Sequence, residues 1–194
     1  MRFRGSACST WRRLTVASCC FALFLAATVA ATPQRNAVAE YDLKAAYLYN
    51  FLKFVEWPTS VLATLDGQLR ICVWGSHPVA DVLATSGRTS VGDLEVVVDA
   101  IQDADHIDGC QVLFVPASSL AAPEAGERAK GKGILTVTEF DERDAEVGII
   151  NLWRRGGRVV FSIDLEAAES EGLRISSRLL EVAVERTEAW DGVR

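Results

Sequence analysis

The chain has 194 residues, 49% of them apolar and 24% charged, and its 20 basic residues against 26 acidic ones leave a net charge of −6. Every acid lies after residue 39, whereas Arg2, Arg4, Arg12, Arg13 and Arg35 lie before it. Residues 40–194 therefore carry 15 basic and 26 acidic groups, a net charge of −11. That balance excludes nucleic acid as a partner, because a polyanion needs clustered Lys and Arg.

The first 39 residues read as a signal peptide: an arginine-bearing start free of acids, then an apolar run over 16–31 that ends in small residues. At about 16 residues the run is short of the roughly 20 that a membrane span needs, so direct membrane insertion is not expected. Cleavage fits after Ala31 or after Ala39, where Ala37-Val38-Ala39 satisfies a small-x-small rule, and the second is preferred. Val16-Ala17-Ser18-Cys19 has its apolar core after the cysteine rather than before it, which argues against a lipid anchor. Arg12-Arg13 lacks the surroundings of a twin-arginine signal.

The expected domain runs over 40–184, the size of one ordinary domain, with a polar tail at 185–194. Residues 40–57 read as a helix stopped by Pro58. Leu43, Tyr47, Phe51, Phe54 and Val55 line one stripe, while Tyr41, Leu48 and Leu52 spill onto another, so this helix needs burial on two sides. The second side meets either the domain itself or a partner. Residues 69–74 predict a buried strand, 77–86 a short helix, and 94–101, 112–115 and 134–137 three further strands; a helix over 118–130, capped by Ser118 or Ser119, separates the last two. Strands 149–153 and 158–163 around Gly156-Gly157 predict a β-hairpin. Asp164 caps a helix that stops at Gly172, and Ser176 or Ser177 caps a last helix with Leu179, Leu180, Ala183 and Val184 on one stripe. The expected fold is α/β: one domain with a mostly parallel sheet covered by helices on both faces, three layers α/β/α, and a C-terminal hairpin and helix.

Of five cysteines, Cys8, Cys19 and Cys20 lie in the leader, which leaves Cys72 and Cys110. In an oxidising compartment these two read as one disulfide, either a structural staple or a redox-responsive element; two unpaired buried thiols remain the alternative. Cys72 sits near the start of the first strand and Cys110 just before the third, so if these strands lie side by side and parallel both fall at one edge of the sheet, and a closed loop of 38 residues gives roughly 3 to 4 kcal/mol in the loop-entropy model. Their spacing is not that of a C-x-x-C redox site.

An ordered set of segments resembles the YfiR family over about residues 40–184: Lys44-Ala45-Ala46-Tyr47-Leu48-Tyr49-Asn50-Phe51, Lys53-Phe54-Val55-Glu56-Trp57-Pro58, Ile71-Cys72-Val73, Gly109-Cys110-Gln111-Val112-Leu113-Phe114-Val115, Ile149-Ile150-Asn151-Leu152 and Ile175-Ser176-Ser177-Arg178-Leu179-Leu180. The resemblance implies a periplasmic regulator that binds the sensory domain of a membrane-anchored diguanylate cyclase and holds it inactive. Release of that partner would raise cyclic di-GMP and favour biofilm. It also implies a homodimer and a bridge matching Cys72 to Cys110. The second cysteine pair of some members has no counterpart here, since no cysteine follows Cys110. Such inhibition needs only differential affinity for two states of the partner. The candidate partner-binding residues are Leu48 and Leu52 on the surplus helix face, and Arg174, Ile175 and Arg178 in the C-terminal segment; the arginines suit partner carboxylates and lie one turn apart if one helix holds both.

Catalysis is not expected, nor a cofactor. Asp103, Asp105, His106 and Asp108 form an acid-rich loop more in keeping with solvation than with a metal, Ser118-Ser119 lacks the glycine-flanked hydrolase elbow, and two histidines, His77 and His106, are too few for an easily assembled triad. The alternative function is a periplasmic small-ligand binder with a pocket at Trp74 and the carboxyl ends of the strands. A transport receptor should be encoded beside permeases, a repressor beside a membrane cyclase.

Overall fold

The computed structural model describes residues 33–119, 122–140 and 148–184. The chain divides into two compact units, Met1–Ala37 and Val38–Arg194. Of the first, only 33–37 are described, and all are helical. The signal-peptide segment and the tail after residue 184 lie outside the described residues.

The elements, in chain order, are α1 (Pro33–Phe54), β1 (Val55–Glu56), α2 (Thr59–Leu62), β2 (Gln68–Trp74), α3 (Pro78–Thr85), β3 (Ser90–Val91), β4 (Leu94–Ile101), a single 3-10 turn (Ala104–His106), β5 (Val112–Val115), α4 (Ala122–Ala129), β6 (Leu135–Glu139), β7 (Ile150–Arg155), β8 (Arg158–Ile163), α5 (Leu165–Ser170), β9 (Arg174–Ile175) and α6 (Ser177–Leu180). Seven strands form one mixed, mostly parallel sheet in the order β3-β4-β2-β5-β6-β7-β8. Strands β4, β2, β5, β6 and β7 run parallel; β3 and β8 close the two edges antiparallel. The chain enters at β2, crosses out to β4 and returns to β5, so the order reverses around β2. In open α/β sheets that reversal opens a crevice at the carboxyl ends of the strands.

Alternation along the strands splits the core in two. Leu69, Ile71 and Val73 of β2, Val112 and Phe114 of β5, Leu135 and Val137 of β6, Ile150 and Leu152 of β7, and Val159 and Phe161 of β8 share one cluster with α1. Cys72, Trp74, Leu113, Val115 and Ile134 project the other way, into a cluster with Ile107 and with Ala125 and Ala129 of α4. Toward β6–β8 that second face changes from apolar to polar: Thr138 donates to Asn151 Oδ1 (2.7 Å), Asn151 Nδ2 donates to the Gly148 carbonyl (2.7 Å), and the Ile149 amide donates to Thr136 (3.0 Å). These buried groups are satisfied by one another, as burial requires.

Helix α1 is fixed by aromatic packing. Tyr47 stacks on Phe51 at 6.1 Å, and both meet Phe161 of β8 edge-on, at 5.3 and 5.4 Å. Gly156 and Gly157 join β7 to β8 with φ of +57° and +79°, the positive values that a two-residue turn with the hairpin's twist requires. Asp164 caps α5 by accepting from the Ala167 amide at 2.9 Å, and Gly172 (φ +71°) follows its end.

Four sequence expectations are corrected. The first helix ends at Phe54 rather than Trp57, because Val55 and Glu56 pair antiparallel with Ile175 and Arg174 in a separate two-stranded ribbon. The helix expected over 118–130 is shorter, Ala122–Ala129; Ser119 instead closes a turn by donating its amide to the Pro116 carbonyl. The last helix covers only Ser177–Leu180, and Ser176 stands at its N-cap without a side-chain bond. Beyond it the chain turns to the sheet edge, where the Val184 amide donates to the Phe161 carbonyl (2.8 Å). Cys72 is not near the start of its strand but is its fifth residue.

Phe51 is completely buried among these rings. Phe51→Ala should cost about 3 to 5 kcal/mol, read as a lowered denaturation midpoint with unchanged slope.

Candidate functional site

Three features stand out: the Cys72–Cys110 bridge, a buried ionic cluster under α1, and the exposed ribbon with the segment after it.

Strands β2 and β5 are parallel neighbours in the register Cys72↔Leu113, which places Cys110, three residues before Leu113, within reach of Cys72. The two form a disulfide with Cα atoms 5.8 Å apart, both cysteines buried in the second cluster. The bridge ties β2, an interior strand, to the loop that enters β5. Replacing both cysteines by serine should lower stability by roughly 3 to 4 kcal/mol, the loop-entropy value for a 38-residue separation, measured by denaturant unfolding of the variant against the oxidised protein.

The second feature escaped the sequence reasoning. Lys44, only 3% exposed, lies on α1 and pairs with Glu40 one turn earlier (2.5 Å) and with Glu139 at the end of β6. Arg154 of β7 adds a second cation to Glu40 at 3.2 Å, and the Ala117 amide donates to Glu139 at 3.4 Å. Burial on its own would lower the Lys44 pKa, but hydrogen bonds and charge from Glu139 and Glu40 outweigh it and hold the ammonium above its usual value. The ammonium stays charged and fastens α1 to the carboxyl end of the sheet. The signal for half of this was present in the i, i+4 spacing of Glu40 and Lys44; Glu139 lies 95 residues away. Lys44→Met leaves Glu139 without its cation and should cost about 3 kcal/mol in denaturant unfolding, with Lys44→Met/Glu139→Leu recovering a large part of the loss.

Of the residues chosen from sequence as partner contacts, Leu48 (0% exposed) and Leu52 (3%) lie in the domain's own core. This corrects the surplus-face reading: the stripe that carries them is buried within the chain, and a partner has no access to either leucine in this arrangement. Arg174, Ile175 and Arg178 lie together near the surface. Arg174 is 83% exposed at its side chain and sits 3.5 Å from Glu56 across the ribbon; Ile175 is half-buried and Arg178 exposed. The two arginines do not share a helix, since Arg174 belongs to β9 and Arg178 to α6. Leu179 beside them is buried and anchors the segment.

The acid-rich loop does not converge on a centre. Asp103 pairs with His106 (2.5 Å), Asp105 with Arg128 and Asp108 with Lys132. Hydrogen bonding and charge from these cations hold Asp103 and Asp108 below the usual carboxylate range, and Asp103 raises His106. Among the described residues no group of three or more His, Cys, Asp or Glu is placed to hold a metal ion. Trp74 is buried in the second cluster; a cavity of about 370 Å³ lies against α4 and α5, with Glu127, Lys130, Ile149 and Glu171 among its walls. No helix of the described residues is long and apolar enough to cross a membrane.

The structure is thus a mixed α/β domain with a disulfide-stapled interior strand and a two-stranded ribbon on which Arg174 pairs with Glu56. The chain belongs to the YfiR/HmsC-like family, whose model matches residues 41–184. That is a regulatory, non-catalytic family of periplasmic proteins connected with diguanylate cyclase signalling. No curated protein matches the chain.

Proposed function

We propose that this chain is a periplasmic regulator that binds the periplasmic sensory domain of a membrane-anchored diguanylate cyclase and holds the enzyme inactive, so that its release raises cyclic di-GMP and favours biofilm. The observation that carries the reading is the family match over 41–184, nearly the whole of the expected domain. The reading includes export behind a signal peptide ending at Ala39, a mature domain over 40–184 with a polar tail after it, a homodimer, and helices on both faces of the sheet. The division of the chain at residues 37 and 38 and the two core clusters on opposite sheet faces support it.

The surface for the partner is the segment of Arg174, Ile175 and Arg178. Exposed guanidinium groups in a mature chain of net charge −11 favour carboxylates on the partner, and an apolar residue between them supplies the dry contact that an interface centre needs. The Cys72–Cys110 bridge supports binding by holding the fold in which this surface is presented, and its reduction is the redox-responsive element of the reading.

Gel filtration of the oxidised protein with the cyclase's periplasmic domain should give a stable complex. Arg174→Ala and Arg178→Ala should each weaken it about tenfold, the scale of a modest interface hot spot, and reduction should weaken it further. No complex in the oxidised sample contradicts the assignment and moves the weight to a small-ligand binder, for which the cavity against α4 and α5 is the structural support.

A further inference from the structure

The ionic cluster under α1 has one more member that neither the fold nor the regulatory reading uses. His77 stands three residues past the carboxyl end of β2, in the loop where the strand order reverses. It makes three contacts with three different elements. Its Nδ1 accepts from the Val79 amide (3.4 Å), capping α3; its ring meets Tyr41 of α1 edge-on at 5.4 Å; and it meets Phe114 of β5 at 5.6 Å. The side chain is a wedge between the first helix and the sheet.

The cap requires the neutral ring, because an accepting Nδ1 must carry a lone pair. Burial works in the same direction, as does Lys44, while Glu139 and Glu40 pull the other way. Glu40, Tyr41 and Lys44 face His77 from α1 and Glu139 from β6, with Arg154 of β7 bound to Glu40 and Asp81 in the first turn of α3. Both carboxylates of the cluster already have cations, Lys44 on Glu40 and Glu139 and Arg154 on Glu40 as well. A protonated His77 is a third cation against two carboxylates, half-buried, with its cap to α3 broken.

We infer that His77 is an acid-sensitive wedge: its protonation breaks the cap on α3 and loosens the Glu40–Lys44 turn of α1 from the carboxyl end of the sheet. Burial is the main cause that holds its pKa below 6.5, with Lys44 acting the same way against the opposing pull of Glu139 and Glu40. The unfolded chain therefore takes up this proton before the folded one does. The stability that His77 confers is whole above about pH 6.5 and falls as the pH drops from there toward the folded-state pKa. His106 behaves oppositely: Asp103 raises its pKa, so its contribution is present below about pH 6.5 and is lost as the pH rises through the folded value. The two histidines act in separate windows, and only that of His77 lies on the acid side.

The device is a property of the chain without any partner, so its test is independent of the regulatory reading. Hydrogen exchange of the α1 amides in the full chain, corrected for the intrinsic pH dependence, should show opening that grows below pH 6.5 by up to tenfold per pH unit, one proton's worth. His77→Asn keeps a good capping side chain and removes the titration, so its opening should be flat over the same range. An NMR titration of the His77 ring in the unaltered protein supplies a second readout, with a midpoint below 6.5 expected. A midpoint at or above 6.5, opening that does not change with pH, or an acid slope that survives in His77→Asn overturns the inference.

Discussion

The constraint on which the rest depends is the burial of the broad apolar face of the first helix. Ala45, Leu48, Phe51 and Leu52 fall within one arc of roughly 120° at 3.6 residues per turn, and each is buried in the domain's main core cluster, while Asp42, Leu43 and Lys53 on the opposite side are exposed. A helix taken into a core to that depth carries some of its polar positions with it, and Lys44 is the one that cannot reach water. An unpaired ammonium there would be prohibitively costly, so the position of α1 is tied to that of Glu139 at the end of β6. The aromatic contacts to β8 fix the helix in its C-terminal half and the ionic cluster fixes it near its middle. The helix then runs directly into β1, whose two residues pair with β9, so the exposed arginine segment owes its placement to the same anchorage.

The sheet contributes a second, independent hold. The bridge between Cys72 and Cys110 joins β2, an interior strand, to the loop before its parallel neighbour, in the cluster on the face away from α1. Helix and disulfide thus secure opposite faces of the same strand. Loss of the bridge removes a constraint on the unfolded chain, whereas loss of the Lys44 pairing leaves a charge unmatched in the folded one. A regulator that must keep one binding surface in a fixed form benefits from both.

The parts legible in the sequence are those whose cause is local. The runs at 69–74 and 112–115 are almost continuously apolar because most of β2 and all of β5 are buried on both faces, and the β-branched run at 94–101 marks the part-exposed β4; each falls within a residue of its strand. Asp164 caps α5 because a carboxylate can satisfy an amide three residues on. Where the cause is distant, the sequence misled. Val55 and Glu56 leave the helix for a partner strand more than a hundred residues later, and nothing in their own neighbourhood announces it. Leu48 and Leu52 looked surplus because periodicity does not show which elements pack against a helix; both lie in the cluster that α1 shares with the sheet. The most consequential omission, Glu139 with Lys44, joins two charged residues each of which reads alone as ordinary solvated surface.

The central claim, that the chain restrains a diguanylate cyclase from outside the membrane, is tested most directly on the enzyme's product. Cyclic di-GMP synthesis by the full-length cyclase in proteoliposomes should fall as the oxidised protein is added on the side of the sensory domain, and should level off once that domain is saturated. Synthesis that stays constant while the protein is demonstrably bound, or that rises, would contradict the account.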